Sequence, residues 1–141
     1  CPESVVIIGG GVIGVEFATL FRDLGKPVTI VEMLPQLASD VMVVNKISID
    51  RLLNEYGVEQ LVNTKVVGIT DAGVEVESAE GKKVLPADVV IGAFGRARSL
   101  ELADVIQNKY PMKTTIIGDC MKPAKAGSAI REGFYAAMAL K

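Results

Sequence analysis

The chain has 141 residues, half of them apolar and 23% charged, with 15 basic against 17 acidic side chains. That profile fits one soluble globular domain, and a net charge of −2 without a basic run excludes nucleic acid as a partner, since little is left to neutralise phosphates. No apolar run reaches the roughly 18 residues of a membrane span; Cys1 and Cys120 form no C-x-x-C pair, which favours a reducing cytoplasm; and histidine is absent, so neither a metal site nor a catalytic side chain is expected.

Residues 4–8, SVVII, form a continuous β-branched apolar run of the kind buried on both faces of a parallel sheet. After a glycine cluster, Ile13, Phe17, Leu20, Phe21 and Leu24 recur at helical spacing and predict a helix with these residues on its core face, ended by Gly25. The segment 27–32, PVTIVE, predicts the next strand, so 4–32 reads as a strand–helix–strand unit. A second helix is expected over 40–56, with Ile49, Leu52, Leu53 and Tyr56 inward, and a third strand over 58–62.

The pattern then changes. Segments 64–70, 73–79 and 82–87 read as an antiparallel three-stranded meander turning at Asp71-Ala72-Gly73 and Glu80-Gly81, with Val74 and Val76 alternating against Glu75 and Glu77. Segment 88–95, DVVIGAFG, returns to the buried parallel type. A short helix near 99–103, a buried strand over 114–120 (TTIIGDC) and a closing helix carrying Ile130, Phe134, Ala137 and Met138 complete the expectation. The predicted fold class is α/β: a Rossmann-like three-layer ββα dinucleotide-binding domain, with a parallel sheet and a three-stranded antiparallel meander.

Gly9-Gly10-Gly11-Val12-Ile13-Gly14 fits G-x-G-x-x-G between a predicted strand and a predicted helix, and Glu32 ends the second strand 18 residues after Gly14. In such a loop Gly9 permits the turn, Gly11 admits a pyrophosphate to the backbone N–H groups, and Gly14 lets helix and strand pack closely. The phosphates then sit on the positive end of the helix. The alternative is a glycine loop that only turns the chain. Glu32 suits the ribose hydroxyls of an adenosine and repels the extra phosphate of NADP, with no Lys or Arg between Lys26 and Lys46 to offset that repulsion. NAD(H) is therefore favoured over NADP(H), FAD remains compatible with the same fingerprint, and a plain solvated charge is the other reading of Glu32.

GGGVIGVEF, the meander, DVVIGAFGR, TTIIGDC and AIREGFYAA together resemble the pyridine-nucleotide domain of the two-dinucleotide-binding flavoprotein reductases. GDCMKP followed by AIREGFYAA is most similar to the C-terminal part of the 2-enoate reductase and 2,4-dienoyl-CoA reductase group of NADH:flavin oxidoreductases. By this resemblance Gly9, Gly11, Val12, Ile13 and Gly14 belong to the NADH pyrophosphate loop, and Gly95 and Arg96 to a turn beside the cofactor. Relatives often carry Pro-Asn where this chain has Arg98-Ser99. Glu16 matches an acid near the nicotinamide, or else complements the helix dipole. Gly118 and Asp119 match a motif whose aspartate binds the FAD ribityl chain, with a helix from about Gly127 pointing at the flavin; otherwise Asp119 only ends its strand.

The resemblance implies that residues 1–110 form an NAD(H)-binding domain and 111–141 a returning segment of an FAD-binding domain whose own glycine fingerprint is not in this sequence. The chain is accordingly expected to be a module of a larger cytoplasmic reductase, handing hydride from NADH to FAD, with FMN and an iron–sulfur cluster in further domains. Its partners would be NADH and the rest of the reductase, or a second copy of the chain. An NADH oxidase or a ferredoxin/rubredoxin-type reductase module is the alternative among enzymes, and a non-catalytic NADH-sensing module the alternative outside them.

Overall fold

The first strand, β1 (Val5–Ile8), is buried on both faces and has a parallel neighbour on either side. The computed structural model describes residues 3–39 and 41–140; Cys1 and Asp40, the expected start of the second helix, lie outside them. Cys120 is free and exposed. The chain divides into two compact units, Cys1–Gly95 and Arg96–Lys141. Among the described residues, no helix is long and apolar enough to cross a membrane.

In the first unit β1 leads into α1 (Val12–Asp23), β2 (Val28–Val31), α2 (Val43–Glu55) and β3 (Glu59–Leu61). The antiparallel strands β4 (Lys65–Thr70), β5 (Gly73–Ser78) and β6 (Gly81–Leu85) follow, and β7 (Val89–Gly92) closes the unit. The parallel sheet runs in the order β3-β2-β1-β7, with Val5 opposite both Val28 and Val89. Because side chains alternate along a strand, β1 divides its residues between two cores. Val5 and Ile7, with Val28 and Ile30, pack on Val15, Ala18, Leu37, Leu53 and Val58 on the helical side. Val6 and Val31 pack on Val74 and Val76 of the meander. Each such valine, leucine or isoleucine contributes about 1.5–3 kcal/mol when fully buried. The expected three layers are therefore present.

α1 meets the sheet on a different stripe from the one its large residues suggested. Gly14, Val15 and Ala18 are its buried residues and Phe21 packs against the core, whereas Ile13, Phe17, Leu20 and Leu24 are exposed. The two stripes are one residue apart, about 100° around the helix. Close approach decides between them, since a side chain at position 14 would overlap the Gly9 carbonyl oxygen, so only a small-residue face can lie this near β1. α2 follows expectation at Leu53, which is buried, and at Ile49 and Tyr56, which pack on the core, whereas Leu52 is only half-buried. Arg22 fastens the two helix ends by donating to the carbonyl oxygens of Tyr56, at 2.5 Å, and Lys26, at 3.0 Å. A hydrogen bond from the Tyr56 phenol to Asp23 holds its proton on above the usual tyrosine range.

The second unit comprises α3 (Glu101–Lys109), a 3₁₀ turn (Gly118–Cys120) and α4 (Ala126–Met138). α3 is longer than expected: Leu102, Val105 and Ile106 have helical spacing, and Glu101 and Asp104 in its first turn with Lys109 in its last complement the dipole. The strand expected over 114–120 is absent. Residues 114–117 are irregular and the 3₁₀ turn follows, because a strand needs a neighbour for its N–H and C=O groups and none pairs there among the described residues. Ile130, Phe134 and Met138, which mark the expected closing helix, lie on α4 and are exposed.

Asp88 ties the start of β7 to the start of β1. Its Oδ2 accepts the Ser4 hydroxyl at 3.0 Å and the N–H groups of Ser4 at 2.8 Å and Glu3 at 2.9 Å. These bonds, the Ser4 hydroxyl foremost, hold the carboxyl below its usual range. A depressed folded-state value contributes stability that is present above the unfolded value, about 3.9, and is lost as pH falls through the folded one. Melting between about pH 5 and pH 2 should therefore show a steeper acid loss for the wild type than for Asp88→Asn, whose side chain cannot titrate; parallel curves would contradict this.

Candidate functional site

The glycine loop lies at the carboxyl end of β1, where an open parallel sheet forms ligand crevices. Gly9 has φ +109°, and a Cβ there would come within 2.5 Å of the Ala93 carbonyl oxygen and 2.9 Å of Phe94 N, so conformation and space both demand glycine. Gly14 is required by the helix–strand approach already described. Gly11 differs. It is the N-cap of α1 with φ −70° and ψ −179°, backbone that any residue adopts, and nothing lies within 4 Å of where its Cβ would be.

The N-terminus of α1 is open in the same direction. No side chain caps it and its first turn holds no acid, so the N–H groups of the first turn, which includes Val12, Ile13 and Gly14, have no capping partner there. Those groups and the positive end of the helix dipole favour an anion. Ile13 and Glu16 are exposed.

Glu32 sits just past β2, partly buried, and both of its carboxylate oxygens accept backbone N–H groups. Gly10 N–H donates to Oε2 at 2.7 Å and Leu34 N–H to Oε1 at 2.8 Å. A carboxylate has about four acceptor positions, so each oxygen keeps one for a ligand hydroxyl. Gly9, Gly11, Val12, Ile13, Gly14 and Glu32 are thus gathered around one loop. Gly95, with φ +92°, follows β7, whose continuation at Ala93 and Phe94 walls Gly9.

The remaining candidates belong to the second unit. Arg96 Nη1 pairs with Asp119 Oδ2 at 2.8 Å, and Ala124 N–H donates to Asp119 Oδ1 at 3.2 Å. Gly118, with φ +67°, donates its N–H to Glu132 Oε2 at 2.6 Å. α4 begins at Ala126, one residue before the expected start, and no side chain caps it.

Sequence reasoning overlooked Leu37 and Ala38, which are 2% and 1% exposed against the glycine loop. A faint signal was available: the first variable position of the fingerprint, residue 10, is itself a glycine.

The family model described as pyridine nucleotide-disulphide oxidoreductase matches residues 1–133. The chain belongs to this family. Over 137 residues, 96% of its length, it is 36% identical to a bilirubin reductase of Mediterraneibacter gnavus and 31% identical to an NADH oxidase of Thermoanaerobacter brockii. The solved structure of a 2-naphthoyl-CoA reductase in complex with 2-naphthoyl-CoA superposes on 99% of the chain at TM-score 0.83 and 29% identity. The chain spans 21% of the length of each of these three proteins. All three are oxidoreductases, and the family couples pyridine nucleotides to flavin.

The contrast within the loop is measurable. Gly14→Ala should cost about 1–3 kcal/mol by forcing α1 off β1. Gly11→Ala should stay within about 1 kcal/mol of wild type, the loss of a good N-cap residue being offset by a less flexible unfolded chain. Urea midpoints at unchanged slope test both, and equal destabilisation would contradict the geometry.

Proposed function

We propose that this chain is the NADH-binding module of a flavin-dependent oxidoreductase, with residues 1–110 as the nucleotide domain and 111–141 as a segment of the flavin domain. The observation that carries the reading is Gly11. Neither the conformation nor the packing of this protein requires glycine there, yet the missing side chain keeps clear the space in front of an uncapped helix N-terminus. That is the space a pyrophosphate needs.

In this reading the N–H groups of Gly11, Val12, Ile13 and Gly14 bind the pyrophosphate, and Glu32 accepts the adenosine ribose hydroxyls. Glu16, Gly95 and Arg96 lie toward the nicotinamide end. Gly118 and Asp119 serve FAD. NADH supplies hydride for the flavin. The residues of this chain bind and orient, and no protein acid or base is needed for such a transfer, which agrees with a sequence free of histidine.

An acceptor of the enoate or dienoyl-CoA kind is favoured by the likeness to a 2-naphthoyl-CoA reductase, at 29% identity. Reduction of dioxygen is the second reading, favoured by the 31% identity with an NADH oxidase. NADH consumption by the complete polypeptide, with an α,β-unsaturated acyl-CoA in the absence of oxygen and with oxygen alone, separates the two.

Two binding measurements test the core of the proposal. By calorimetry at equal ionic strength, NADH should bind about tenfold or more tightly than NADPH, a difference of at least about 1.4 kcal/mol, because the sequence around Glu32, between Lys26 and Lys46, offers no Lys or Arg to receive a 2′-phosphate. Equal or tighter binding of NADPH would overturn the assignment. Gly11→Val should remove detectable NADH binding while melting remains cooperative, and a folded variant with unchanged affinity would reduce the loop to a turn.

A further inference from the structure

We propose that Leu37 is a positioning residue for the nucleotide loop, and that its packing favours glycine at residue 10, a variable position of the fingerprint. This rests on the nucleotide reading of the loop and deepens it. The segment after Glu32 does not leave the site; it folds back under the loop and is fastened on both sides. Ala38, with φ +49°, donates its N–H to the Gly10 carbonyl oxygen at 2.7 Å. Glu32 accepts the Gly10 N–H at 2.7 Å, so both polar groups of the Gly10 backbone are held by this one segment. On its far side Asn63 N–H donates to the Leu34 carbonyl at 3.0 Å and Thr64 N–H to the Glu32 carbonyl at 2.9 Å, anchoring the segment to the end of β3.

Leu37 completes the arrangement. It is 2% exposed within the helical core, beside Val15 and Leu53, and its Cδ2 occupies the place where a Cβ on residue 10 would be. Glu32 Cβ is 3.2 Å from the same point. A methyl group there has to displace Leu37 from a packed core or lift the loop, and lifting the loop moves the N–H groups that face the phosphates. Glu32 holds one end of the nucleotide while the strap beside it sets the height of the loop holding the pyrophosphate. Adenosine and phosphate recognition are thus mechanically one site.

The test is an exchange of bulk across the contact, with NADH affinity measured on the full chain below the melting temperature of each variant. Gly10→Ala should weaken NADH about tenfold or more, and adding Leu37→Val, which removes the Cδ atoms, should restore most of the loss. With Gly10 retained, Leu37→Ala should weaken NADH severalfold and the volume-conserving Leu37→Met should keep the affinity, so this arm decides the question if Gly10→Ala does not fold. Wild-type affinity in Gly10→Ala, a folded double variant no better than Gly10→Ala, or equal effects of Leu37→Ala and Leu37→Met would overturn the proposal. A wild-type chain that binds no NADH would overturn the nucleotide reading and this inference with it, whereas normal wild-type binding with an indifferent Leu37 overturns the inference alone.

Discussion

The approach of α1 to β1 at the glycine turn sets the terms for the rest of the first unit. Gly9 turns against the Ala93 backbone, and Gly14 rests on the Gly9 carbonyl, so the helix axis is held close to the sheet before any large side chain is placed. Val15 and Ala18 are then buried beneath the helix with Phe21 packed against the same core, and the remaining depth is filled from the side by Leu37, Leu53 and Val58. The same approach sets the uncapped end of α1 at the carboxyl end of the parallel sheet. A bulkier residue at position 14 would relieve nothing by repacking, because its neighbour is backbone rather than a side chain that can rotate.

Glu32 converts that geometry into a polar site. Two N–H donors to one carboxylate are worth about 1.5–3 kcal/mol each, and they fix the side chain before a ligand arrives. Neutral hydroxyls find two oriented acceptors at no cost in rearrangement. A phosphate in the same position brings negative charge to a carboxylate already committed to the backbone, which cannot swing away without releasing Gly10. In the proposed nucleotide reading, selectivity against a 2′-phosphate and rigidity of the loop would have one cause.

How much of this was readable in the sequence depends on what each feature needed to be seen. The strand–helix–strand unit, the meander and the fingerprint rest on local periodicity and turn chemistry, and β1, β2, β3, β4, β5 and β7 lie within their expected spans, while β6 begins one residue early. On α1 apolar size does not mark the buried stripe, because Gly14 and Ala18 face inward for lack of room. Residues 114–117 carry a strand-like run, but a strand is a property of a pair, and the sequence of one segment does not name its neighbour. The packing of Leu37 on Gly10 joins residues 27 apart through a loop without periodicity, so no pattern announced it.

In the second unit the two bonds around Gly118 and Asp119 are unequal. Arg96 and Asp119 form an exposed pair, and exposed pairs contribute about 0–1 kcal/mol. The bond from Gly118 N–H to Glu132 is partly buried and joins the turn to the middle of α4 across 14 residues, worth about 1.5–3 kcal/mol. Glu132, rather than Arg96, therefore sets the orientation of the turn. Asp119 can give up Arg96 to another hydrogen-bond donor at small cost while Ala124 N–H still steadies its other oxygen. Both contacts of the Asp119 carboxylate are exposed, and the firm hold on the turn that carries it comes from the neighbouring Gly118 through a single helical glutamate.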